Sequence, residues 1–320
     1  MLLCLLAVGA GRAGPTADEA ARLAALDARP LHEFTNVDLA DYLRLKAQLA
    51  PFCSPGEAIG FWARKAVGQR FRLGAMRWDL AESDCVVFTE RCLAAGLAWD
   101  WESYYRLCER LRHKDGKVGV LERNHFTLLE WVPNNAWLLQ DITGQLGVPV
   151  QTFTHVVRPK AFYARLQFGQ DDTPAGRAKA AAQAAKVAEL PERVETVETY
   201  VDRDAIAAVL DRLRPGDIAL VIRRFEGPGL RPWLDCDHMS VLLEGQPVAI
   251  AIQATRRGVQ VEPLPHFLRG ASFVAGMKFL RLRDDAAALV SRELDRMQGL
   301  AVPSAAGVDE KVEAYRAEHK

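Results

Sequence analysis

The stretch "DCVVFTERCLAAGL", residues 84–97, decides how the rest of this sequence is interpreted. Its apolar side chains recur at helical spacing, which predicts a largely buried helix. Ser83 or Asp84 supplies the N-cap, because either side chain accepts a hydrogen bond from a free amide of the first turn. Cys85 then lies where unpaired N–H groups and the positive end of the helix dipole favour a thiolate. The stretch therefore offers a candidate nucleophile, although a cysteine in an apolar helix is also a common core residue.

A thiol nucleophile needs a base, which must come from elsewhere in the chain. His238 precedes the β-type run "MSVLLEG", where a sheet would hold its imidazole rigidly. Gln253 lies on the next apolar run, "PVAIAIQA". In a hairpin Gln253 would stand beside His238 as the third polar group that orients an imidazole. His125 is the alternative base.

Helical patterns dominate the first half of the chain, and short β-type runs follow from "IALVI" at residues 218–222. Glycine or proline separates these runs, which predicts an antiparallel sheet. We therefore predict an α+β fold with a single core. Residues 17–285 form the main domain, with a helical insertion at about 159–200 that Thr173-Pro174 helps to define, and residues 286–320 form a polar helical tail.

Composition excludes several classes of protein. Lys plus Arg equals Asp plus Glu at 41 each, whereas a general nucleic-acid binder needs an excess of positive charge. The six cysteines form no CxxC pair, so no zinc ribbon or thioredoxin motif is present. Cys236, Asp237 and His238 suggest a metal site, but on a strand Asp237 points away from the other two. We predict no metal and no cofactor.

The first 16 residues, "MLLCLLAVGAGRAGPT", resemble a secretory leader. Their apolar run is too short to span a bilayer, and small residues between Ala10 and Gly14 suit a cleavage zone. The spacing Gly9-x-Gly11-x-x-Gly14 also matches a dinucleotide fingerprint. Pro15 falls inside the helix that such a fingerprint needs, and no suitable strand follows, so we favour the leader.

Six ordered segments between Ser54 and Leu282 resemble the bacterial DUF1460 family, described as N-acetylmuramoyl-L-alanine amidase-like. That family lies within the NlpC/P60 group of papain-like cysteine peptidases. The segments are "AVGQRFRLG", "DCVVFTERCLA", "ERNHFTLLEWVPNN", "LRPGDIALVI", "LDCDHMSVLL" and "IQATRRGVQVEPL". The resemblance implies a papain-like fold whose nucleophile begins a helix packed on an antiparallel sheet, with added helices. It also implies Cys85 as nucleophile and His238 as base.

Two positions depart from the family pattern. Gln253, in Gln253-Ala254-Thr255, stands where the family usually has the histidine of a His-Ala-Ser run. Glutamine orients an imidazole but carries no charge to stabilise imidazolium. Phe71 stands where the family commonly has tyrosine, so a phenolic hydroxyl near the oxyanion is missing. A Cys-His-Gln triad is thus expected, and both changes bear on its rate.

The resemblance also implies a substrate cleft, in which Arg123 would bind a peptide carboxylate. The expected cleft residues are Asp84, Arg123, Asn124, His125, Trp131, Asn134, Asn135 and Asp237. The alternative is that the segment containing Arg123 and Asn135 is a structural loop packed by Phe126 and Trp131.

The implied function is a cysteine amidase that hydrolyses an amide bond in cell-wall peptides. The bond is either N-acetylmuramoyl–L-alanine or γ-D-glutamyl–diamino acid. The expected partners are peptidoglycan fragments or muropeptides. We expect no binding of nucleic acid and no stable membrane span, and we expect export to the periplasm. The alternatives are a peptidoglycan-binding module with weak catalysis, or another acyl transfer on the same fold.

Overall fold

A computed structural model describes residues 16–49, 51–52, 54–166, 173–227, 230–244 and 250–318. Residues 1–15, with most of the predicted leader and the whole glycine pattern, lie outside the described residues. The helices are α1 (Ala17–Ala28), α2 (Asn36–Leu49), α3 (Pro55–Lys65), α4 (Cys85–Leu97), α5 (Trp101–Arg112), α6 (Val132–Asn134), α7 (Pro159–Tyr163), α8 (Pro174–Glu189), α9 (Leu264–Gly270), α10 (Ala286–Arg296) and α11 (Ala305–Glu318). The strands are β1 (Arg70–Phe71), β2 (Glu82–Ser83), β3 (Leu139–Asp141), β4 (Val150–Val157), β5 (Val194–Asp202), β6 (Ile218–Gly227), β7 (Leu230–Glu244), β8 (Ile250–Thr255), β9 (Gly258–Pro263) and β10 (Val274–Leu282).

Eight strands of the described residues form one sheet in the order β4-β5-β10-β6-β7-β8-β9, with β3 paired to β10. Every pairing in this sheet is antiparallel. Helices α1 to α5 precede most of these strands in the chain. The prediction of an α+β fold with an antiparallel sheet is therefore confirmed.

The central strand β6 shows why the sheet is buried on both faces. Ile218, Leu220 and Ile222 pack into the core formed with α1 to α5. Ala219 and Val221, which alternate with them, pack into a second core with α9 and the 3₁₀ helix that precedes β6. The prediction of a single core is therefore wrong, because the sheet is covered on both faces. A continuous apolar run such as "IALVI" is what a strand buried on both faces requires.

The predicted helical insertion at 159–200 is only partly helical. Helix α8 begins after Thr173, whose hydroxyl accepts the N–H of Gly176. Residues 194–202 instead form β5, which pairs along the whole of β4. The sequence "VETVETYVD" is rich in β-branched residues, and side-chain exposure alternates over its first five positions, as in a half-buried strand.

The tail predicted at 286–320 contains α10 and α11, and α11 packs on α2. The Asp309 carboxylate accepts hydrogen bonds from the backbone N–H groups of Asn36 at 2.7 Å and Val37 at 3.1 Å. It thereby caps the first turn of α2 from the far end of the chain. Val308 and Val312 of α11 are buried.

Candidate active site

Cys85 is the first residue of α4, and its side chain is half-buried. Asp84 is the N-cap, with one carboxylate oxygen accepting the N–H of Val87 at 2.8 Å. Its other oxygen accepts the N–H of Gly74 at 3.1 Å, which ties the preceding loop to the helix start. The first amides of a helix have no acceptor within the helix, so this position is suited to binding an oxyanion.

The segment before Cys85 is held by a buried arginine. The Arg91 guanidinium donates to the carbonyls of Arg77 at 2.7 Å, Asp79 at 2.7 Å and Glu82 at 2.8 Å. A further bond reaches the carbonyl of Met76 at 3.1 Å. These bonds satisfy the arginine donors within the core and fix the chain that leads to the nucleophile position.

A short strand pair joins the same segment to the main sheet. Phe71 of β1 lies opposite Ser83 of β2 in parallel register. The residues before β1 bond to β9, where Gly68 donates to Val259 at 3.0 Å and Val259 donates to Gln69 at 2.9 Å. The loop that precedes Cys85 is therefore attached to the edge of the sheet.

Two of the other cysteines are chemically protected by burial. Burial raises the pKa of Cys92 far above its ordinary value, and burial raises the pKa of Cys108 to about 12. Cys236 is half-buried, and its thiol donates to the carbonyl of His238 at 3.6 Å. Cys4 and Cys53 lie outside the described residues.

His238 of β7 and Gln253 of β8 form a direct hydrogen bond of 2.9 Å between Nε2 of the imidazole and Oε1 of the amide. Gln253 is only 1% exposed. Its amide nitrogen donates to Oε2 of Glu262 at 2.8 Å. The other oxygen of Glu262 lies 2.8 Å from Nδ1 of His266 on α9. A continuous polar chain thus runs outward from His238 to a surface histidine.

Helix α4, which begins at Cys85, packs against both β7 and β8. The structure therefore brings the helix with the candidate nucleophile onto the two strands that carry His238 and Gln253. Glu262 was not among the predicted site residues, although it lies in the segment "IQATRRGVQVEPL". The available signal was a carboxylate on a strand next to that of Gln253, but its contact depends on the register.

Arg123 differs from the other residues predicted for the cleft. Burial lowers the pKa of its guanidinium and Arg112 lowers it further, while Glu90 and Asp84 oppose both effects. Glu90 pairs directly with Arg112 at 2.7 Å, whereas no carboxylate of the described residues forms an ion pair with Arg123. This half-buried cation is chemically suited to a carboxylate ligand.

Most of the neighbouring predicted residues serve the packing of the loop. The side-chain amide nitrogens of Asn124 and Asn135 both donate to the carbonyl of Leu111, at 3.1 and 3.0 Å. The Asn134 amide oxygen accepts from the Arg110 guanidinium at 3.2 Å. Trp131 is 1% exposed, and its indole donates to Glu90 at 3.1 Å. These contacts agree with the structural-loop alternative.

His125, the alternative base, packs its ring against Phe162 and Tyr163. Its Nε2 lies 3.0 Å from the carbonyl of Val120, and burial lowers the pKa of the imidazole. The backbone of Asp237 belongs to β7, but its side chain lies outside the described part of the structure.

His155 is a buried histidine with a carboxylate partner, and the sequence did not single it out. It is 3% exposed on β4, and its Nε2 lies 2.9 Å from the Asp235 carboxylate of β7. Pairing of β4 with β5, which was not predicted, brings His155 into the sheet.

Among the described residues, no group of three or more His, Cys, Asp or Glu side chains is arranged to hold a metal ion. No helix in the same part of the chain has the length and apolar character needed to cross a bilayer.

Comparison with known proteins gives two kinds of similarity. A family model described as AmiA-like, N-acetylmuramoyl-L-alanine amidase-like, matches residues 63–269. The crystal structure of a DUF1460 protein from Legionella pneumophila str. Philadelphia 1 is similar with a TM-score of 0.65 and 18% identity, covering 78% of this chain and 95% of that one. An N-acetylmuramoyl-L-alanine amidase from Bacteroides uniformis is similar with a TM-score of 0.53 and 20% identity, covering 72% and 99%. Comparison with curated proteins gave no match.

Proposed function

The chain belongs to the AmiA-like family of N-acetylmuramoyl-L-alanine amidase-like proteins, and on that premise we propose that it is a cysteine amidase of bacterial cell-wall peptides. One observation carries the proposal. Cys85 begins a capped helix that packs on the two strands whose His238 and Gln253 are hydrogen-bonded to each other. Nucleophile, base and orienting group in this order are the parts that acyl transfer by a thiol requires.

In the proposed first step, His238 removes the proton from the Cys85 thiol, and the thiolate attacks the carbonyl carbon of the substrate amide. The backbone N–H of Cys85 donates to the oxyanion that forms on the carbonyl oxygen. His238 then gives its proton to the leaving nitrogen as the C–N bond breaks. The products of this step are a free amine and a thioester on Cys85.

In the second step, water attacks the thioester carbon while His238 takes one of its protons. The C–S bond breaks, the carboxylic acid leaves, and Cys85 recovers its proton. Gln253 accepts a hydrogen bond from the imidazole throughout both steps. Arg123 is proposed to bind a carboxylate of the peptide and to set its position relative to Cys85.

A papain-like, NlpC/P60-type arrangement is part of this proposal. Its support is a helix that begins at a cysteine and packs on an antiparallel sheet carrying a histidine. Because the polymer that such an enzyme cleaves lies outside the cytoplasmic membrane, we propose export to the periplasm. The remaining predicted cleft residues, including Asp84 and Asp237, stay predictions.

The test is digestion of purified muropeptides by the wild type and by Cys85→Ala, followed by mass spectrometry. We expect a new amine and a new carboxylic acid with the wild type alone. Their masses distinguish cleavage of N-acetylmuramoyl–L-alanine from cleavage of γ-D-glutamyl–diamino acid. Cys236→Ala, another half-buried cysteine, is the matched control and should retain activity. Equal product from wild type and Cys85→Ala would exclude the cysteine mechanism.

A second candidate is a peptidoglycan-binding module that turns over slowly. Two observations favour it, namely the uncharged third group Gln253 and the phenyl ring of Phe71 where the family commonly has a phenol. Reaction with iodoacetamide at neutral pH separates the two candidates. If Cys85 reacts no faster than a cysteine of the unfolded chain, the binding module is favoured.

A further inference from the structure

We propose that Glu262 is a positioning residue that fixes the amide of Gln253 and thereby selects the tautomer of His238. The catalytic consequence rests on the proposed function, whereas the structural consequence does not. The role is needed because glutamine, unlike a carboxylate, presents two chemically different ends to an imidazole.

The contact follows from the register of the β8–β9 hairpin. Gln253 lies opposite Gln260, and Ala251 lies opposite Glu262. Gln253 and Glu262 are therefore diagonal neighbours on one face of the hairpin, within reach of long side chains. The bond between them is 2.8 Å long, and Gln253 is almost fully buried.

An ionised carboxylate only accepts hydrogen bonds, so Glu262 requires the NH₂ group of Gln253 to point toward it. The amide oxygen of Gln253 then points toward Nε2 of His238, 2.9 Å away. Since that oxygen also only accepts, Nε2 must carry the hydrogen. In the neutral imidazole the lone pair therefore lies on Nδ1, which is the nitrogen that would accept the proton of Cys85.

Glu262 also supplies the negative charge that Gln253 lacks. A carboxylate bonded to the NH₂ group polarises the amide, and hydrogen bonds in such a chain strengthen one another. The outer end of the chain is His266, whose side chain is 67% exposed, while Glu262 is 27% exposed. The charge thus remains hydrated at the edge of the site and acts through a buried amide.

The first test reads the His238 tautomer directly by ¹⁵N NMR of the imidazole, at a pH where it is neutral. The wild type is expected to show the Nε2–H form. In Glu262→Gln, the facing amide can donate as well as accept, so Gln253 is free to turn over and the Nδ1–H form should appear. Glu310→Gln, an exposed residue of α11, is the matched control and should match the wild type.

The second test exchanges the two side chains in the double variant Gln253→Glu/Glu262→Gln. The carboxylate now faces His238 directly and again requires a hydrogen on Nε2, while the new amide at position 262 can donate to it. We expect the double variant to restore the Nε2–H form. On muropeptides, Glu262→Gln should lower kcat by about 10- to 100-fold, as removal of a supporting partner typically does, and the double variant should recover most of the loss.

An unchanged tautomer and an unchanged kcat in Glu262→Gln would overturn the proposal. Failure of the double variant to restore the Nε2–H form would also overturn it, because a merely structural defect would not be repaired by exchanging the charge. If the wild type cleaves no muropeptide, the proposed function fails. The NMR result then still decides the role of Glu262.

Discussion

At the scale of single residues, the helix that carries the candidate nucleophile depends on its cap. Asp84 satisfies two backbone donors, the N–H groups of Val87 and Gly74. We expect Asp84→Ala to lower the free energy of unfolding by about 1–2 kcal/mol, the usual cost of a lost N-cap. Urea denaturation measures the change, and Asp84→Asn, which keeps one acceptor, should cost less. Equal stability of Asp84→Ala and the wild type would contradict the capping role.

Glu90, one helical turn beyond Cys85, forms a buried ion pair with Arg112 at 2.7 Å. Burial opposes the charge of Arg112, but Glu90, together with Asp84 and Glu109, outweighs burial and raises the pKa of the guanidinium. We expect Glu90→Gln to destabilise the protein by about 3–5 kcal/mol, because it removes the ion-pair partner of a buried cation.

The matched control for Glu90→Gln is Glu102→Gln, which breaks the ion pair between Glu102 and Arg106. The side chain of Glu102 is 57% exposed. An exposed pair within one helix contributes little, so this change should stay within about 0.5 kcal/mol of the wild type. Thermal unfolding of both variants gives the comparison. Similar losses of stability in Glu90→Gln and Glu102→Gln would show that burial does not determine how much an ion pair contributes to stability.

At the scale of elements, Gly258 joins the β8–β9 hairpin to the segment that precedes Cys85. Its φ is +95°, and a Cβ at this position would lie 2.6 Å from the carbonyl oxygen of Gln69. Gly74 has a φ of +73° but nothing within 4 Å of such a Cβ. Substitution of the two glycines therefore separates the cost of a strained backbone conformation from the cost of a steric clash with neighbouring backbone.

We expect Gly74→Ala to cost about 1 kcal/mol from strain alone. Gly258→Ala should cost about 1–3 kcal/mol more, because the clash with backbone adds to the strain. It should also lower the activity on muropeptides, since it displaces the edge to which the β1 segment is bonded. The prediction is wrong if the two variants are equally stable by urea denaturation.

The elements that sequence predicts well are those with local signals. The caps at Asp84 and Thr173 fix the starts of α4 and α8, and the apolar run at residues 218–222 identifies a buried strand. Strand β5 is not predicted, because α7 and α8 separate it from its hydrogen-bonding partner β4 and no short hairpin signal exists. The segment carries Glu195 and Glu198 and its residue types do not alternate strictly, so it is easily taken for a solvated surface segment.

The residues of the candidate site also differ in whether a local sequence signal predicts them. Helix-start chemistry points to Cys85, and a hairpin between neighbouring runs suggests that Gln253 stands near His238. The contact from Gln253 to Glu262 depends on the exact register of β8 and β9, which a shift of one residue would reverse. The packing of Asn124, Trp131 and Asn135 into the fold likewise depends on tertiary contacts that a motif does not contain.

At the scale of the whole molecule, the two ends of the described chain stabilise each other. Asp309 of α11 caps α2, and Arg316 bonds to Asp79 at 2.9 Å in the loop before Cys85. The C-terminal helix thus reaches both the first layer of helices and the segment that leads to the site. A region that reads as a polar tail is therefore expected to contribute to global stability.

The pair between Arg316 and Asp79 makes this contribution dependent on pH. Burial opposes the charge of Asp79, but hydrogen bonds from Arg316 and from the N–H of Ala81 lower its pKa below the ordinary value. A carboxyl group whose pKa is lowered by folding stabilises the protein above its unfolded pKa, and that stability is lost as the pH falls through the folded pKa. Protonation at low pH should therefore remove the benefit of Arg316.

We expect Arg316→Met to lower the free energy of unfolding at pH 7 by about 1–2 kcal/mol. This value is small for a charged hydrogen bond because Arg316 is 45% exposed and water screens part of the interaction. The difference in unfolding free energy between wild type and variant should narrow as the pH falls below about 4, the ordinary pKa of an aspartate in the unfolded chain. Urea denaturation at a series of pH values from 7 downward measures this difference. Arg292→Met is the control, because the pair between Arg292 and Asp285 is 3.7 Å long and both side chains are exposed. A gap that stays constant with pH would mean that α11 is held by apolar packing of Val308 and Val312 instead of by the charge of Asp79.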